Sequence, residues 1–202
     1  MSSVWDNHYL KQKSILHHPD ENLVRILSRI TPPNLSVLDF GSGSGRHIPL
    51  LKEKGFDVSA SDSSIEAVER LKVNFSGHPC YLTDKLPYSF QKGQFGLIVS
   101  WGVFHYNERS VAKAMLVELH QALAPNGYLA GSIRAASDTH LKLNDGKMNL
   151  VDLNGGYAET YTLVEVNDLL RPFSNVEIGY TERTPLGKLD ERICHWFFLA
   201  KK

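Results

Sequence analysis

In Val37-Leu38-Asp39-Phe40-Gly41-Ser42-Gly43-Ser44-Gly45-Arg46-His47, an apolar segment runs into three glycines at alternate positions. The apolar residues around Asp39 predict a short buried strand, and the residues after the last glycine predict a helix. Because glycine has no Cβ, a turn through these positions lets a ligand lie close to the backbone. The unpaired N–H groups at the start of the helix favour anionic or hydrogen-bond-accepting groups. The stretch therefore predicts a strand, a ligand-binding turn and a helix in succession.

The spacing of the glycines separates this turn from other nucleotide-binding loops. A dinucleotide-binding loop has the pattern Gly-x-Gly-x-x-Gly, whereas here the pattern is Gly-x-Gly-x-Gly, with Asp39 two places before the first glycine. The sequence has no Gly-x-x-x-x-Gly-Lys-Ser/Thr, so a phosphate-binding P-loop is excluded. On this motif alone, a glycine-rich turn without catalytic meaning remains the alternative.

The composition indicates one globular domain. The chain has 202 residues, 42% of them hydrophobic, and its 22 basic residues balance 22 acidic ones, so no net field attracts nucleic acid or an anionic membrane. The N-terminus lacks the features of a secretory signal, and no apolar run approaches the roughly 18 residues that span a bilayer. Cys80 and Cys194 lie far apart and are interpreted as free thiols in a reducing compartment. A cytoplasmic location is expected.

Strand and helix patterns alternate along the chain. Apolar runs predict seven strands, at 35–40, 56–61, 79–82, 95–100, 128–134, 176–183 and 193–200. Helical spacing predicts two N-terminal helices, at 5–13 and after Asp20, and four more, from the glycine turn to 54, from Ser63, at 107–123 and at 163–170. Ser63 and Glu66 have the spacing of a capping box.

This alternation predicts a mainly parallel sheet with right-handed crossovers. The last two strands are separated only by a loop, so an antiparallel hairpin is expected at one edge. In open sheets of this kind, ligands bind beyond the carboxyl ends of the strands. Asp39, Asp62, Asp84 and the pair Ser100-Trp101 fall at or just after the ends of the first four strands. We therefore expect these side chains along one edge of the sheet.

Four segments resemble the class I S-adenosylmethionine-dependent methyltransferases, a Rossmann-like family, in its small-molecule type. Residues 37–45 resemble motif I, Asp/Glu-x-Gly-x-Gly-x-Gly, which closes around the methionine half of the cofactor. Residues 58–64 resemble the ribose-binding segment, 97–106 resemble motif IV, and 123–129 resemble the turn before strand five. The resemblance implies a three-layer α/β sandwich whose mainly parallel seven-stranded sheet has the order 3-2-1-4-5-7-6, with the last strand antiparallel.

The same resemblance implies one methyltransferase domain, 1–202. Residues 1–33 would form N-terminal helices that act as a lid, and residues 34–134 would form the cofactor-binding core. Residues 135–202 would form a substrate-side segment and the terminal hairpin.

S-adenosylmethionine is the cofactor that the resemblance implies. Asp62 is expected to accept hydrogen bonds from the ribose hydroxyls, and Asp84 from the adenine amino group, with Lys85 beside the ring. Arg46 is placed to meet the cofactor carboxylate or an anionic substrate. The expected cofactor-binding residues are Asp39, Phe40, Gly41, Ser42, Gly43, Gly45, Arg46, Asp62, Ser63, Asp84, Lys85, Ser100 and Trp101. Structural alternatives stay open, namely a helix cap at Asp62, a solvated loop at Asp84 and a core position for Trp101.

The expected reaction is an in-line displacement that moves the methyl group to a small-molecule acceptor. A general base is needed only if the acceptor loses a proton as it attacks. His105 and Tyr106, just after strand four, are the candidate catalytic residues, with His105 as the base because histidine titrates near neutral pH. A hydrogen-bonded structural histidine is the alternative.

Several other functions are disfavoured by missing motifs. The Asn-Pro-Pro-Tyr signature of amino-group methylation on adenine or glutamine is absent after strand four, and neither cysteine fits cytosine-C5 methylation. No nucleic-acid partner, membrane contact or metal is expected, and the chain is expected to be a monomer or homodimer. A non-catalytic S-adenosylmethionine-binding partner subunit and a nucleotide-dependent oxidoreductase remain as alternatives.

A lid over the acceptor is also expected. It would exclude water from the reaction and would be formed by the first helix and by segment 135–161, through Trp5, Tyr9, His140, Tyr157 and Tyr161. A long polar loop with no such role is the alternative.

Overall fold

A computed structural model of the chain describes residues 4–11, 15–144, 147–148, 153 and 156–202. Its centre is a seven-stranded sheet. We number these strands in chain order, and they are β1 (Ser36–Phe40), β2 (Asp57–Asp62), β3 (Cys80–Leu82), β4 (Phe95–Trp101), β5 (Leu123–Arg134), β6 (Asn175–Arg183) and β7 (Ile193–Lys201). All seven predicted strands are therefore present, with ends within a few residues of those expected.

The strand order is 3-2-1-4-5-7-6, as the family resemblance implied. Strands β1 to β5 pair in parallel, and Leu38 of β1 lies beside Ile98 of β4 at the centre. Strand β7 runs antiparallel to both β5 and β6, so β6 points the same way as the parallel strands. The carboxyl ends of β1 to β6 therefore share one edge of the sheet.

The described residues form six helices, and all but the first cover the two faces of the sheet. They are α1 (Val4–Tyr9), α2 (Glu21–Leu27), α3 (Ile48–Glu53), α4 (Ile65–Asn74), α5 (Arg109–Ala122) and α6 (Leu163–Leu169), with a 3₁₀ turn at Phe104–Tyr106. One buried cluster joins α5 and α6 to the face with Leu38 and Ile98, and a second joins α2, α3 and α4 to the face with Val37 and Leu97. The three-layer α/β architecture is therefore confirmed.

Three local expectations need correction. The helix after the glycines begins only at Ile48, because residues 41–47 continue as a series of turns. The N-cap of α4 is Ser64, which accepts from the Ala67 amide, and not Ser63, because the carboxylate of Asp62 already holds the amide of Ser64. Strand β5 begins at Leu123 and runs through the predicted turn, where Asn126 takes a left-handed conformation with φ of 62°.

Segment 135–162 has little regular structure where it is described. Two-residue strands, Leu143–Asn144 and Lys147–Met148, pair with each other, and Ala135 bridges to Tyr161. Part of the expected lid segment lies outside the described residues. Within the described residues, no helix has the length and apolar character needed to cross a membrane.

Candidate active site

The glycine turn follows the carboxyl end of β1. Its glycines have left-handed backbone conformations, and hydrogen bonds within the turn and to β2 hold them in place. Gly41, Gly43 and Gly45 have φ of 72°, 55° and 81°. The amides of Gly41 and Ser42 both donate to the carbonyl oxygen of Ser61 at 2.8 Å, which ties the turn to β2. The Ser42 hydroxyl donates to the carbonyl oxygen of Asp39 at 2.6 Å. Other residue types rarely adopt such angles, so the glycines are required by the backbone path.

The three glycines have different surroundings. A Cβ at Gly43 would lie 2.6 Å from the hydroxyl oxygen of Tyr9, and one at Gly41 would lie 2.3 Å from Cγ2 of Val103. Both positions line cavities, and the missing Cβ atoms let the side chains of Tyr9 and Val103 approach the backbone of the turn closely. A Cβ at Gly45 would instead meet Phe75 at 2.3 Å. Gly45 therefore allows the turn to pack on α4, and the structure does not place it at a cavity.

Asp62 is the carboxylate at the end of β2, and it is almost fully buried. One of its oxygens accepts from the amide of Gly43 at 2.9 Å, and the other accepts from the amide of Ser64 at 3.0 Å. Burial raises the pKa of Asp62 to about 6, although hydrogen bonds from the backbone oppose this shift. A carboxylate held in this way has lone pairs left for further donors, and Asp62 lines a cavity.

The first cavity, of about 320 Å³, lies beyond β2, β3 and β4. It brings together seven of the predicted cofactor residues, namely Phe40, Gly41, Asp62, Ser63, Asp84, Lys85 and Trp101. Apolar walls come from Leu86, Tyr88 and Met115. A cavity lined by apolar side chains and by the two carboxylates suits a nucleoside, whose ring is apolar on its faces and whose sugar donates hydrogen bonds.

The second cavity, of about 450 Å³, lies beyond the carboxyl ends of β1, β4, β5 and β6 and beside the start of β7. Four predicted residues that the first cavity lacks line it, namely Ser42, Gly43, Arg46 and His105. Burial lowers the pKa of the Arg46 guanidinium, and the nearby charge of Arg183 adds to this shift, although Asp20 and Asp39 oppose it. Six residues line both cavities, so the two share a wall formed by Trp5, Tyr9, Gly41, Trp101, Gly102 and Tyr106.

Helix α1 forms part of that shared wall. The ring of Trp5 meets the ring of Tyr106 edge-on with centroids 4.7 Å apart. The hydroxyl of Ser64 donates to Oδ1 of Asp6 at 2.6 Å, and the Arg70 guanidinium donates to the carbonyl oxygen of Tyr9. These contacts hold α1 over the glycine turn. Burial, followed by the charge of Asp62, raises the pKa of Tyr9, so its hydroxyl stays protonated.

His105 is buried beside β5, and its hydrogen bonds define its protonation. Its Nδ1 accepts from the amide of Arg134 at 3.3 Å, so the neutral ring carries its proton on Nε2. Burial, with smaller contributions from Arg134 and His195, lowers the pKa of His105 well below its usual range. The ring is therefore neutral, and its free nitrogen is a donor, which disfavours its predicted role as a general base. Tyr106, packed on the same ring at 4.1 Å between centroids, lines both cavities.

Asp39 and Ser100 are not among the residues that line the two cavities. Asp39 is buried, with Oδ1 3.6 Å from Nδ1 of His47, a residue that lines the second cavity. Ser100 is fully buried within β4. The sequence predicted that both side chains contact a ligand, but the structure places them outside the lining of the two cavities.

Two tyrosines of the expected lid do not line either cavity. Tyr161 is buried under the guanidinium of Arg109, at 4.8 Å from its ring, and Tyr157 donates to Glu159. By contrast, His140 of the same segment lines the second cavity, where its Nδ1 lies 2.7 Å from Oε2 of Glu191. Within the described residues, no group of three or more His, Cys, Asp or Glu side chains is arranged to hold a metal ion.

Two arginines of the second cavity were missed in the sequence. Arg134 is the last residue of β5 and Arg183 is the last residue of β6, and both line this cavity. The strand-end rule that found Asp39 and Asp62 could have found both, had it been applied to the fifth and sixth strands.

An open α/β sheet with a glycine turn and a buried carboxylate at its edge defines a Rossmann-like cofactor-binding protein. The profile of a family described as "Methyltransferase domain" matches residues 11–178 of the chain, most of its length. The chain belongs to this methyltransferase family. The predicted class I S-adenosylmethionine-dependent methyltransferase is thereby confirmed, and S-adenosylmethionine is its cofactor. A search of curated protein sequences finds no match.

Solved structures share the fold at low sequence identity. A methyltransferase from Methanosarcina mazei, described as S-adenosylmethionine-dependent, has a TM-score of 0.71 at 17% identity, over 88% of this chain and 96% of that one. One from Archaeoglobus fulgidus has a TM-score of 0.68 at 12% identity, over 90% and 92%. The 1,6-didemethyltoxoflavin-N1-methyltransferase of Burkholderia thailandensis, solved with its substrate and S-adenosylhomocysteine, has a TM-score of 0.62 at 17% identity, over 100% and 79%.

Proposed function

We propose that this methyltransferase moves the methyl group of S-adenosylmethionine to a small-molecule acceptor by in-line displacement. The observation that carries the proposal is the pair of cavities with one shared wall. A nucleoside-sized space with carboxylates lies on one side, and a separate space of about 450 Å³ lies on the other. That second volume is in the range of small-molecule sites. A transfer needs contact between the two ligands, and the six lining residues in common support this, because they mean that the two cavities adjoin.

The residues of the first cavity would hold the nucleoside. Asp62 would accept hydrogen bonds from the ribose hydroxyls, and Asp84 and Lys85 would flank the adenine. Gly41 and Gly43 would let the cofactor lie against the backbone, with Arg46 near its carboxylate. When bound, S-adenosylmethionine supplies a methyl group that the positive sulfur already activates.

His105 and Tyr106 would act at the shared wall, and not by removing a proton. The Nε2–H of His105 has no partner among the described residues, so it can donate a hydrogen bond to an acceptor molecule. Tyr106 would position that molecule, because it lines both cavities. The acceptor would then be a group that attacks without help from a protein base.

The N-terminal region, 1–33, would act as the lid of this single domain. Trp5 and Tyr9 support this role, since both contact the shared wall. Exclusion of water by such a lid would protect the aligned pair of ligands from hydrolysis. We also propose a cytoplasmic monomer or homodimer.

Calorimetry with S-adenosylhomocysteine and with NADH tests the proposal. We expect the purified protein to bind S-adenosylhomocysteine and not NADH, and the opposite result would favour an oxidoreductase. A screen of small acceptors, read as release of S-adenosylhomocysteine, then tests the transfer. Binding of the nucleoside with no turnover of any acceptor would favour a non-catalytic partner subunit and would overturn the proposal.

A further inference from the structure

The second cavity carries more positive than negative side chains. Arg46, Arg134 and Arg183 line it, whereas Asp20 is its acidic lining residue among those described. Bound S-adenosylmethionine would add one net positive charge, because its sulfonium and ammonium outnumber its single carboxylate. A cavity of this kind attracts an anion and disfavours a cation.

Arg134 shows where an anion would bind. The residue is only 7% exposed, and its Nη1 lies 2.7 Å from Oδ2 of Asp138. Asp138 also accepts from the backbone amides of His140, Leu141 and Cys194, so its oxygens are already well supplied with donors. The Nε of Arg134, by contrast, is buried and has no hydrogen-bond partner among the described residues. Buried donors normally have an acceptor, so one is missing here.

A second residue that lines this cavity also has a buried donor without a partner among the described residues. His105 lines the same cavity and accepts from the amide of Arg134 through Nδ1, which leaves the proton on Nε2. This Nε2 also lacks a partner among the described residues. Two donors without partners, on two residues that line one cavity, match a ligand group that only accepts, such as a carboxylate or a phosphate.

The cofactor carboxylate is not expected to satisfy these donors. It would lie near the glycine turn at the end of β1, where Arg46 is available. Arg134 ends β5, which is two strands away from β1, and Arg183 ends β6, which is four strands away. With neighbouring strands about 4.8 Å apart, the backbones of these strand ends are about 10 and 19 Å from β1 across the sheet. The Arg183 side chain reaches back toward the glycine turn, since its charge contributes to the lowered pKa of Arg46. Arg134 is therefore left for the acceptor, and Arg183 adds positive charge to the same cavity.

We propose that the methyl acceptor is a small organic anion whose charged group is bound by Arg134 and Arg183. This inference rests on the proposed function, since it specifies the ligand of the second cavity. The charged group would receive the Nε–H of Arg134 and the Nε2–H of His105, and Arg183 would add charge from the exposed end of β6. The aromatic wall formed by Trp101, Tyr106 and Phe197 would contact the rest of the molecule.

The test uses the full-length protein saturated with S-adenosylhomocysteine, with saturation first verified by calorimetry. The probes are benzoate, phenylacetate and 3-phenylpropanoate, each paired with its primary amide, and binding is measured by saturation-transfer NMR titration. We expect at least one carboxylate to bind about tenfold more tightly than its amide, the ratio typical of one charged hydrogen bond. Raising the ionic strength should reduce this preference.

Variants locate the binding group. Arg183→Gln should remove most of the preference for the acid, and it changes an exposed strand end, so folding is retained. Arg134→Lys keeps a charge for Asp138 but loses the Nε–H, and it should have the same effect. Arg171→Gln, an exposed arginine outside the cavity, is the matched control and should change nothing.

The outcomes separate the inference from the proposed function. If no carboxylate binds more tightly than its amide, whether both bind or neither binds, the anionic acceptor is overturned while the bound nucleoside still supports a methyltransferase. A preference that survives Arg183→Gln and Arg134→Lys unchanged also overturns it. If S-adenosylhomocysteine itself fails to bind, the proposed function fails, and the inference falls with it.

Discussion

Asp62 is ionisable near neutral pH because it is buried with only backbone donors around it. Its pKa of about 6 belongs to the ligand-free protein, in which burial disfavours the negative form. Ribose hydroxyls would donate to the carboxylate and so favour that negative form. Binding of the nucleoside is therefore linked to loss of the proton from Asp62. Protonation of Asp62 must weaken binding, so the affinity falls as the pH is lowered.

We predict that the affinity for S-adenosylhomocysteine falls as the pH drops through about 6, and that it is constant above pH 7. Calorimetric titrations between pH 5 and pH 8 measure this, with the slope approaching about tenfold per pH unit on the acid side. Asp62→Asn should bind about tenfold or more weakly and lose the slope. Asp57→Asn, at the exposed start of the same strand, should behave as the wild type. An unchanged slope in Asp62→Asn would assign the proton to another group.

Gly43 and Gly55 form a matched pair for the glycine turn. Both have positive φ, but a Cβ at Gly43 would lie 2.6 Å from the Tyr9 hydroxyl, whereas one at Gly55 would meet nothing within 4 Å. We predict that either change to alanine lowers the free energy of unfolding by about 1 kcal/mol through backbone strain. Only Gly43→Ala should also weaken binding of S-adenosylhomocysteine. Chemical denaturation and calorimetry check the two effects, and equal affinities in both variants would contradict the role of the turn.

At the scale of elements, α1 is a short helix whose position depends on distant contacts. It has no buried residue, yet it is attached to α4 through Ser64 and Arg70 and to the 3₁₀ turn through Trp5. Helices of this length are not stable alone, so its order derives from these tertiary contacts. A helix held in this way can open without unfolding the sheet.

Trp5→Ala should therefore speed the release of S-adenosylhomocysteine. Loss of the edge-on contact with Tyr106 is worth about 1 kcal/mol, so we expect a dissociation rate about threefold to tenfold higher, with association little changed. Surface plasmon resonance measures both rates. Leu10→Ala changes a side chain that is 63% exposed just after the same helix, and it should leave both rates unaltered. A Trp5→Ala rate equal to that of the wild type would remove α1 from the lid.

The whole molecule depends on its last strand. Strand β7 is inserted between β5 and β6, and Phe198 within it is 1% exposed and belongs to the cluster formed with α5 and α6. A Cβ at Gly131 of β5 would lie 2.6 Å from Cζ of Phe198, so the glycine makes room for the ring. The C-terminal residues thus complete a core that begins in the first half of the chain.

We predict that Phe198→Ala lowers the free energy of unfolding by about 3–5 kcal/mol, because it leaves a cavity that the rigid sheet cannot close. Urea denaturation measures this loss. Val164→Ala, at a side chain that is 77% exposed on α6, should change stability by less than about 0.5 kcal/mol. A small loss in Phe198→Ala would show that the core rearranges around the missing ring.

Local pattern was enough to predict most of this fold. Each strand of the sheet has an apolar run in the sequence, and a strand-end position brought Asp62 and Asp84 to one cavity. The order of the strands in the sheet came from the family resemblance, since the alternation of strands and helices does not say which strands are neighbours. The role of Gly45 in packing against Phe75 was not visible, because it depends on how α4 docks on the turn.

The protonation of His105 was the least predictable feature of the site. The prediction used the ordinary pKa of histidine, which is near neutral, but its hydrogen bond comes from Arg134, a residue brought close only by the sheet. Burial and the nearby guanidinium then lower its pKa. Long-range contacts of this kind leave no periodic or spaced signal in the chain.

The wall shared by the two cavities limits how the sequence can evolve. Trp5, Tyr9 and Tyr106 face both spaces, so a mutation at any of them alters the fit of two different molecules at once. Diversification toward new acceptors is then easiest at residues such as Arg183 and His195, which line the second space alone. Substitutions that change acceptor specificity should therefore accumulate along β6 and β7, while the aromatic residues of the shared wall stay the same.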